Sequence, residues 1–285
     1  MPVEYLQLCC VTPHPPILVP EVGGREALKV EETSRALGSL AAEIESIDPE
    51  TIVIMSPHTP IFADAFTVKM APLLEGSFRS FGAASVIMSA EPDLELSEGI
   101  IKCAGKAGIR VKKSSDGPMS KGSELDHGIL VPLYFLEKKT YPLVCLSLSL
   151  LEYGDHYRLG TCVREAAASL QRKIVFVASG DMSHYLSDSG PYGYNPNGER
   201  FDRQIVEIMN SGDYRRLFEM DPFMIEQAGE CGLRSIFALA GAVDGYSVDS
   251  SVLSYEGTFG VGYMVARVVP GEPDPRRSLD AATGR

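Results

Sequence analysis

Short runs of apolar and β-branched residues alternate along most of the chain with longer segments whose apolar residues recur every three or four positions. The short runs predict strands at residues 5–11, 51–55, 65–70, 85–88, 109–113, 143–149 and 174–178. The longer segments predict helices at residues 25–47, 94–107, 129–137 and 156–171. This alternation is typical of an α/β fold, here with a largely parallel or mixed central sheet flanked by helices.

The last third of the chain is predicted to be mainly helical before it returns to strands. We expect helices at residues 198–209, 214–219 and 231–242, then two strands at 251–255 and 260–268 that pair as an antiparallel edge. No Pro/Gly/Ser-rich linker and no solenoid-length repeat divides the sequence. We therefore predict one domain over residues 1–270, followed by a polar C-terminal tail at 271–285.

Charge and cysteine usage narrow the class of protein. The chain carries 38 acidic and 26 basic residues, a formal charge of −12, which disfavours binding to nucleic acid. The longest apolar run, residues 129–136, is far too short to cross a membrane, and the N-terminus lacks the pattern of a secretory signal. The six cysteines lack zinc-ribbon spacing, so we expect free thiols, mostly buried, in a cytoplasmic protein.

Three of the five histidines follow predicted strands directly. His14 lies in the turn TPHPP, His58 in SPHTP and His184 in GDMSH, each just past the carboxyl end of a strand. In open α/β sheets ligands bind at that edge, because the loops there diverge over a crevice. A single loop histidine is ordinarily a turn or core residue, but three at equivalent strand ends predict one shared site.

The other two histidines lie beside predicted helices. His127 falls at the start of a helix that Asp126 can cap, and the helix dipole there favours the neutral imidazole. His156 lies at a helix entry without comparable neighbours, which predicts a surface or capping role.

Neutral imidazoles bind several transition metals, so the remaining ligands decide the chemistry. Two histidines and one carboxylate form the facial site of non-haem Fe(II) oxygenases, and the same set also suits hydrolytic zinc. The carboxylates in suitable settings are Asp126, Asp181, Glu230 and Glu256. For Glu230, which precedes an apolar helix, helix capping is as well supported as metal binding. The spacing of these residues leaves the choice of the carboxylate open.

The segments TPHPPILVPEVG, SPHTP, LDHGILVPL, SGDMSH, AGECGLRS and SYEGTFGVGY resemble, in this order, the type III extradiol dioxygenase superfamily of the protocatechuate 4,5-dioxygenase catalytic subunit. The similarity runs from about residue 5 to 268 and looks closest to the Memo-related branch, whose members share the fold but are not established dioxygenases. The resemblance implies that His14, His58 and Glu230 hold the metal. Memo-like proteins use a cysteine in this neighbourhood, so Cys231 competes with Glu230.

The same resemblance implies acid/base roles for His127 and His184, with Asp181 orienting the His184 ring. It implies Fe(II) as the cofactor, with zinc or copper as alternatives, and ring opening of a catechol or 2-aminophenol by O2. Two other functions stay open. One is a metal-dependent hydrolase on the same ligands, and the other is a Memo-like metal-binding or interaction protein without turnover. A homo-oligomer is compatible with either class.

Overall fold

A computed structural model describes residues 4–114, 122–136 and 138–279 of the chain. Its strands are β1 (Leu6–Thr12), β2 (Thr51–Ser56), β3 (Phe66–Lys69), β4 (Leu74–Phe78), β5 (Ala83–Ala90), β6 (Val111–Ser114), β7 (Leu143–Ser147), β8 (Ile174–Ser179), β9 (Leu186–Ser187), β10 (Gly193–Tyr194), β11 (Tyr246–Glu256) and β12 (Tyr263–Pro273). Its α-helices are α1 (Pro20–Gly23), α2 (Glu31–Ile47), α3 (Leu94–Lys106), α4 (His127–Leu136), α5 (Tyr153–Leu170), α6 (Pro196–Ser211), α7 (Pro222–Ala228) and α8 (Leu233–Ala242).

Eight strands form one mixed sheet in the order β11-β12-β1-β8-β2-β7-β3-β6. The central strands β1, β8, β2 and β7 are parallel to one another. Strand β12 runs antiparallel to β1, and β11 pairs antiparallel with β12. At the other side β3 is antiparallel to β7 and parallel to β6. The predicted α/β class and the antiparallel C-terminal edge are confirmed.

Side chains of the central strands alternate between two buried cores, one on each face of the sheet. Leu8, Ile54 and Val177 pack on the face covered by α2 and α4. Val53 and Phe176 pack on the opposite face, which α5 and α8 cover. Because both faces are buried, these strands read as continuous apolar runs rather than as an alternating pattern. None of the helices within the described ranges has the length and apolar character needed to cross a lipid bilayer.

Several predicted elements differ in detail from the observed ones. The predicted strand at 85–88 lies within β5, which pairs with β4 in a hairpin separate from the eight-stranded sheet, and β4 itself was not predicted. The predicted helix at 25–47 is interrupted at Val30, whose backbone leaves the helical region at φ −124° and ψ 40°. Residues 214–219 form a 3-10 helix, and helix α7 was not predicted. Apolar periodicity reports burial, so it does not identify the strand partner or a local break in a helix.

The histidine expected at the surface is a core residue. His156 is fully buried inside α5, where its Nε2 accepts the backbone N–H of Ser149 at 3.3 Å and its ring packs edge-on against Phe66. The surface interpretation of His156 was therefore wrong, because the start of α5 turns this side chain towards the sheet.

The C-terminal segment continues the domain beyond residue 270. Strand β12 runs to Pro273, and the Ser278 hydroxyl and Leu279 amide donate to the carboxylate of Asp244. Residues 280–285 of the predicted tail lie outside the described residues, so the boundary at 270 stays a prediction. All six cysteines are free thiols, and Cys103 and Cys231 are the two that are only partly buried.

Candidate metal centre

The carboxyl ends of β1, β2 and β8 meet at one edge of the sheet. The register pairs Thr12 with Ser179 and Met55 with Ala178, so the three strands end nearly level. His14 therefore emerges beside Asp181, and the turn after β2 brings His58 to the same edge. This register explains how the three strand ends bring their side chains to one edge of the sheet.

Three imidazoles converge there. The Nε2 atoms of His14 and His58 lie 3.0 Å apart. His127, from the first turn of α4, stacks on His58 with ring centroids 3.9 Å apart and an interplanar angle of 31°. One ring nitrogen from each of the three residues lies within 4.8 Å of the other two, which makes them a group able to hold a metal ion.

A hydrogen-bond chain sets the tautomer of His14. The Ser179 hydroxyl donates to the carbonyl of Gly128 at 2.5 Å, so its oxygen accepts from Nδ1 of His14 at 2.9 Å. A proton on Nδ1 leaves Nε2 with its lone pair directed at the cluster. Metal-binding histidines adopt this arrangement, in which one ring nitrogen faces the metal and the other donates its proton to a protein acceptor.

A second chain positions His58. The Ser56 hydroxyl donates to Asp126 at 2.6 Å and accepts the backbone N–H of His58 at 3.2 Å. Gly128 permits this packing, because a Cβ there would lie 2.4 Å from the Ser56 oxygen and 3.2 Å from the His58 ring. Among the described residues the second carboxylate oxygen of Asp126 is buried without a hydrogen-bond partner.

Cys231 and Asp181 lie on the other side of His14. The Cys231 sulphur is 3.6 Å from His14 Nε2 and accepts the backbone N–H of Asp181 at 3.2 Å. Asp181 accepts the backbone N–H of His14 at 2.9 Å, and its second oxygen lies 3.9 Å from His14 Nε2. Asp181 thus holds the His14 loop against the loop that carries Cys231.

Glu230 points elsewhere. Its carboxylate accepts the backbone N–H of Leu233, the first residue of α8, at 2.6 Å. Among the described residues, neither Glu230 nor Cys231 belongs to the donor group that His14, His58 and His127 form. The structure therefore places the cysteine of this adjacent pair, and not the glutamate, beside His14.

His184 lines the opposite side of a cavity of about 240 Å³ above the cluster. Its ring centroid lies 5.2 Å from that of Tyr192, which belongs to the loop between β9 and β10. The structure therefore brings five predicted residues together around one cavity: His14, His58, His127, Asp181 and His184.

Burial keeps these imidazoles neutral. Desolvation, helped by the neighbouring histidines, lowers the pKa of His14 well below its usual value and lowers that of His127 to about 4. Desolvation also lowers the pKa of His184. Burial raises the pKa of Asp181 to about 7 and that of the Cys231 thiol well above its usual value. A cation reverses this trend for a thiol, because coordination removes its proton.

Two of the separations between donor atoms are close to those around a transition-metal ion. Tetrahedral coordination with bonds of about 2.0 Å to nitrogen and 2.3 Å to sulphur separates two nitrogens by about 3.3 Å and a nitrogen from a sulphur by about 3.5 Å. The observed separations are 3.0 Å for His14 and His58, and 3.6 Å for His14 and Cys231.

Sequence reasoning had not identified Ser179, whose only sequence signal is its position at the end of β8.

The chain is similar to proteins of known families. It matches the family described as "Catalytic LigB subunit of aromatic ring-opening dioxygenase" over residues 8–266. It is 39% identical over 261 residues to Protein CA_C1420 of Clostridium acetobutylicum, a match that covers 90% of this chain and 56% of that protein. This chain thus spans little more than half the length of that relative.

Two further relatives and one solved structure agree with this match. The chain is 25% identical to the 2-aminophenol 1,6-dioxygenase beta subunit of Pseudomonas sp, over 76% of this chain and 78% of that subunit. It is 26% identical to a MEMO1 family protein of Thermococcus onnurineus, over 78% and 74%. The uncharacterized protein JW3007 from Escherichia coli K12 shares the fold, with a TM-score of 0.64 and 16% identity over 92% of this chain and 99% of that one.

Proposed function

Because the chain belongs to the family of the catalytic LigB subunit of aromatic ring-opening dioxygenases, we propose that it is a metal-dependent enzyme that opens a catechol or 2-aminophenol ring with O2. The observation that carries this proposal is the convergence of His14, His58 and His127 on the floor of a cavity. The dioxygenase named among the relatives supports the choice of substrate class.

The proposed cofactor is Fe(II), held by His14 and His58. We assign the third ligand position to Cys231, because its sulphur lies 3.6 Å from His14 Nε2 and is oriented by a backbone N–H. Glu230 as the third ligand stays a prediction, and its bond to the start of α8 argues for a capping role. Bound there, Fe(II) would acidify the substrate hydroxyl groups and exchange electrons with dioxygen.

The chain's own residues supply proton transfer and orientation. His184 faces the cavity and is neutral at physiological pH because burial lowers its pKa, so it can accept the proton of a substrate hydroxyl. His127 is neutral for the same reason and can donate or accept one hydrogen bond to the bound ring. Asp181 accepts the backbone N–H of His14 and positions that residue, while its expected role in orienting the His184 ring stays a prediction.

Oxygen uptake tests the proposal. The protein is loaded anaerobically with Fe(II) and mixed with oxygen and a panel of catechols and 2-aminophenols, and we expect uptake coupled to a ring-opened product. His184→Ala should keep its iron and lose most of the uptake, since general acid/base catalysis contributes roughly 10²–10⁴-fold. Equal uptake by that variant and the wild type would remove His184 from the reaction.

A second candidate function is a metal-binding protein without ring cleavage. The thiol of Cys231 favours it, because a thiolate ligand suits zinc or copper as well as iron. The MEMO1 family relative is similar over 78% of the chain. This function predicts tightly bound metal and no oxygen uptake with any member of the panel, so the same experiment separates the two.

A further inference from the structure

A second cavity opens directly from the one above the histidines. The inner cavity measures about 240 Å³ and the outer one about 550 Å³. Pro15, Pro16, Pro191 and Tyr263 line both, so the two cavities adjoin at these four residues, and we take the space between them as the passage. Three of the four are prolines with a fixed φ, and Tyr263 is almost fully buried, which makes the passage preformed.

The sizes of the two cavities indicate how much of a ligand they can hold. Ligand sites generally measure about 300–1,000 Å³. The inner cavity alone falls below that range, whereas the two cavities together lie within it. A ligand that reaches the histidines and also fills the outer cavity extends past these four residues.

The chemistry of the walls changes from one cavity to the other. Of the described residues that line the inner cavity, none is a lysine or an arginine, and Asp181 is an acid. The outer cavity presents the apolar side chains of Ile17 and Phe259, with the ion pair of Glu26 and Lys29 on its wall. A carboxylate on the ligand, placed in the inner cavity beside the metal-binding group, would therefore lose its hydration without gaining a lysine or arginine as partner.

We propose that the ligand of this site is elongated, with a metal-chelating head in the inner cavity and an uncharged, mainly apolar substituent in the outer cavity against Ile17 and Phe259. The proposal rests on the metal site assigned above. It goes beyond ring opening, because it specifies the shape and charge of the molecule and identifies residues that select it.

Hydroxamic acids test the proposal independently of ring cleavage, because they chelate a metal ion but have no aromatic diol ring that the enzyme could open. Zinc-loaded protein is titrated by calorimetry with acetohydroxamic acid and with octanohydroxamic acid. Each fully buried methylene adds about fourfold in affinity, so an alkyl tail only partly covered by the outer cavity should bind about tenfold more tightly or better.

Thr258→Trp, on the wall of the outer cavity, should remove this advantage of the long ligand while acetohydroxamic acid binds as before. Ser189→Trp fills the same cavity from the opposite loop and serves if the first variant folds poorly. Leu253→Trp, an exposed position on β11 outside both cavities, is the matched control and should keep the advantage. Equal affinity of the two hydroxamates for the wild type, or an unchanged advantage in both cavity variants, would overturn the proposal.

Catechols then separate this inference from the proposed reaction. On the Fe(II) protein under anaerobic conditions, 4-butylcatechol should bind more tightly than catechol, and 3,4-dihydroxybenzoate more weakly than catechol. A tail advantage for hydroxamates with no binding of any catechol refutes the proposed substrate class and supports the elongated site. If catechol binds and the longer ligand has no advantage in either series, the proposed substrate class is supported and the elongated site is refuted.

Discussion

Replacing Gly128 by alanine perturbs the support of the site without replacing a candidate ligand. The added Cβ would lie 2.4 Å from the Ser56 hydroxyl oxygen, 3.0 Å from the Asp126 carboxylate and 3.2 Å from the His58 ring. Real Cβ atoms keep at least 3.0 Å, so the Ser56 hydroxyl must move by at least about 0.6 Å, the difference between 3.0 and 2.4 Å. Movement of that size lengthens and weakens the bonds that this hydroxyl makes, and the cost is greatest where both are lost.

The energetic cost follows from those two bonds. The bond from Ser56 to the Asp126 carboxylate is of the class of hydrogen bonds to charged groups, which contribute roughly 1.5–3 kcal/mol. The bond from the His58 backbone N–H to Ser56 contributes about 0.5–1.5 kcal/mol. We therefore expect the free energy of unfolding to fall by about 2–4 kcal/mol. Because the His58 ring also shifts, metal affinity should fall by roughly 10–100-fold.

Urea unfolding of the metal-free protein measures the first effect, and competition with a chelator for zinc measures the second. Gly154→Ala is the matched control, because Gly154 is the second residue of α5 as Gly128 is of α4, and a Cβ there meets nothing within 4 Å. The control should be neutral or slightly stabilising. Gly128→Ala behaving like Gly154→Ala in both assays would refute the assigned role of the Ser56 bonds.

Three further changes test other parts of the site and its surroundings. Ser179→Ala removes the acceptor that sets the His14 tautomer, so zinc affinity should fall by roughly 10–100-fold in the chelator competition. Cys231→Ser should lose far more bound metal than Glu230→Gln, and the opposite ranking in metal analysis would restore the glutamate as ligand. Burial raises the pKa of Asp202 to about 6, so the folded state favours the protonated form of this carboxyl. The stability that results is present below about pH 4 and is lost as the pH rises through 6. Asp202→Asn should therefore unfold at a higher urea concentration than the wild type at pH 8, because its free energy of unfolding is higher by roughly 2–3 kcal/mol. At pH 4 the two proteins should differ little.

The sequence by itself determined the fold class and the edge at which the site lies. Apolar runs that are buried on both faces identify central parallel strands, and the prolines and histidines that follow β1 and β2 mark their carboxyl ends. Because parallel strands present those ends at one edge, His14 and His58 could be expected to meet before their distance was known. His184 was expected at the same edge for the same reason, and the segment resemblance added His127 to the site.

Only the tertiary structure decided which donor atoms face one another. Glu230 and Cys231 are adjacent in the chain, and their different directions depend on where α8 begins and on the loop that carries Asp181. Ser179 meets His14 across 165 residues of chain, through a strand pairing that local periodicity does not encode. Hydrophobic patterning records which residues are buried, whereas ligand geometry depends on contacts between distant segments, and those exist only once the sheet has its register.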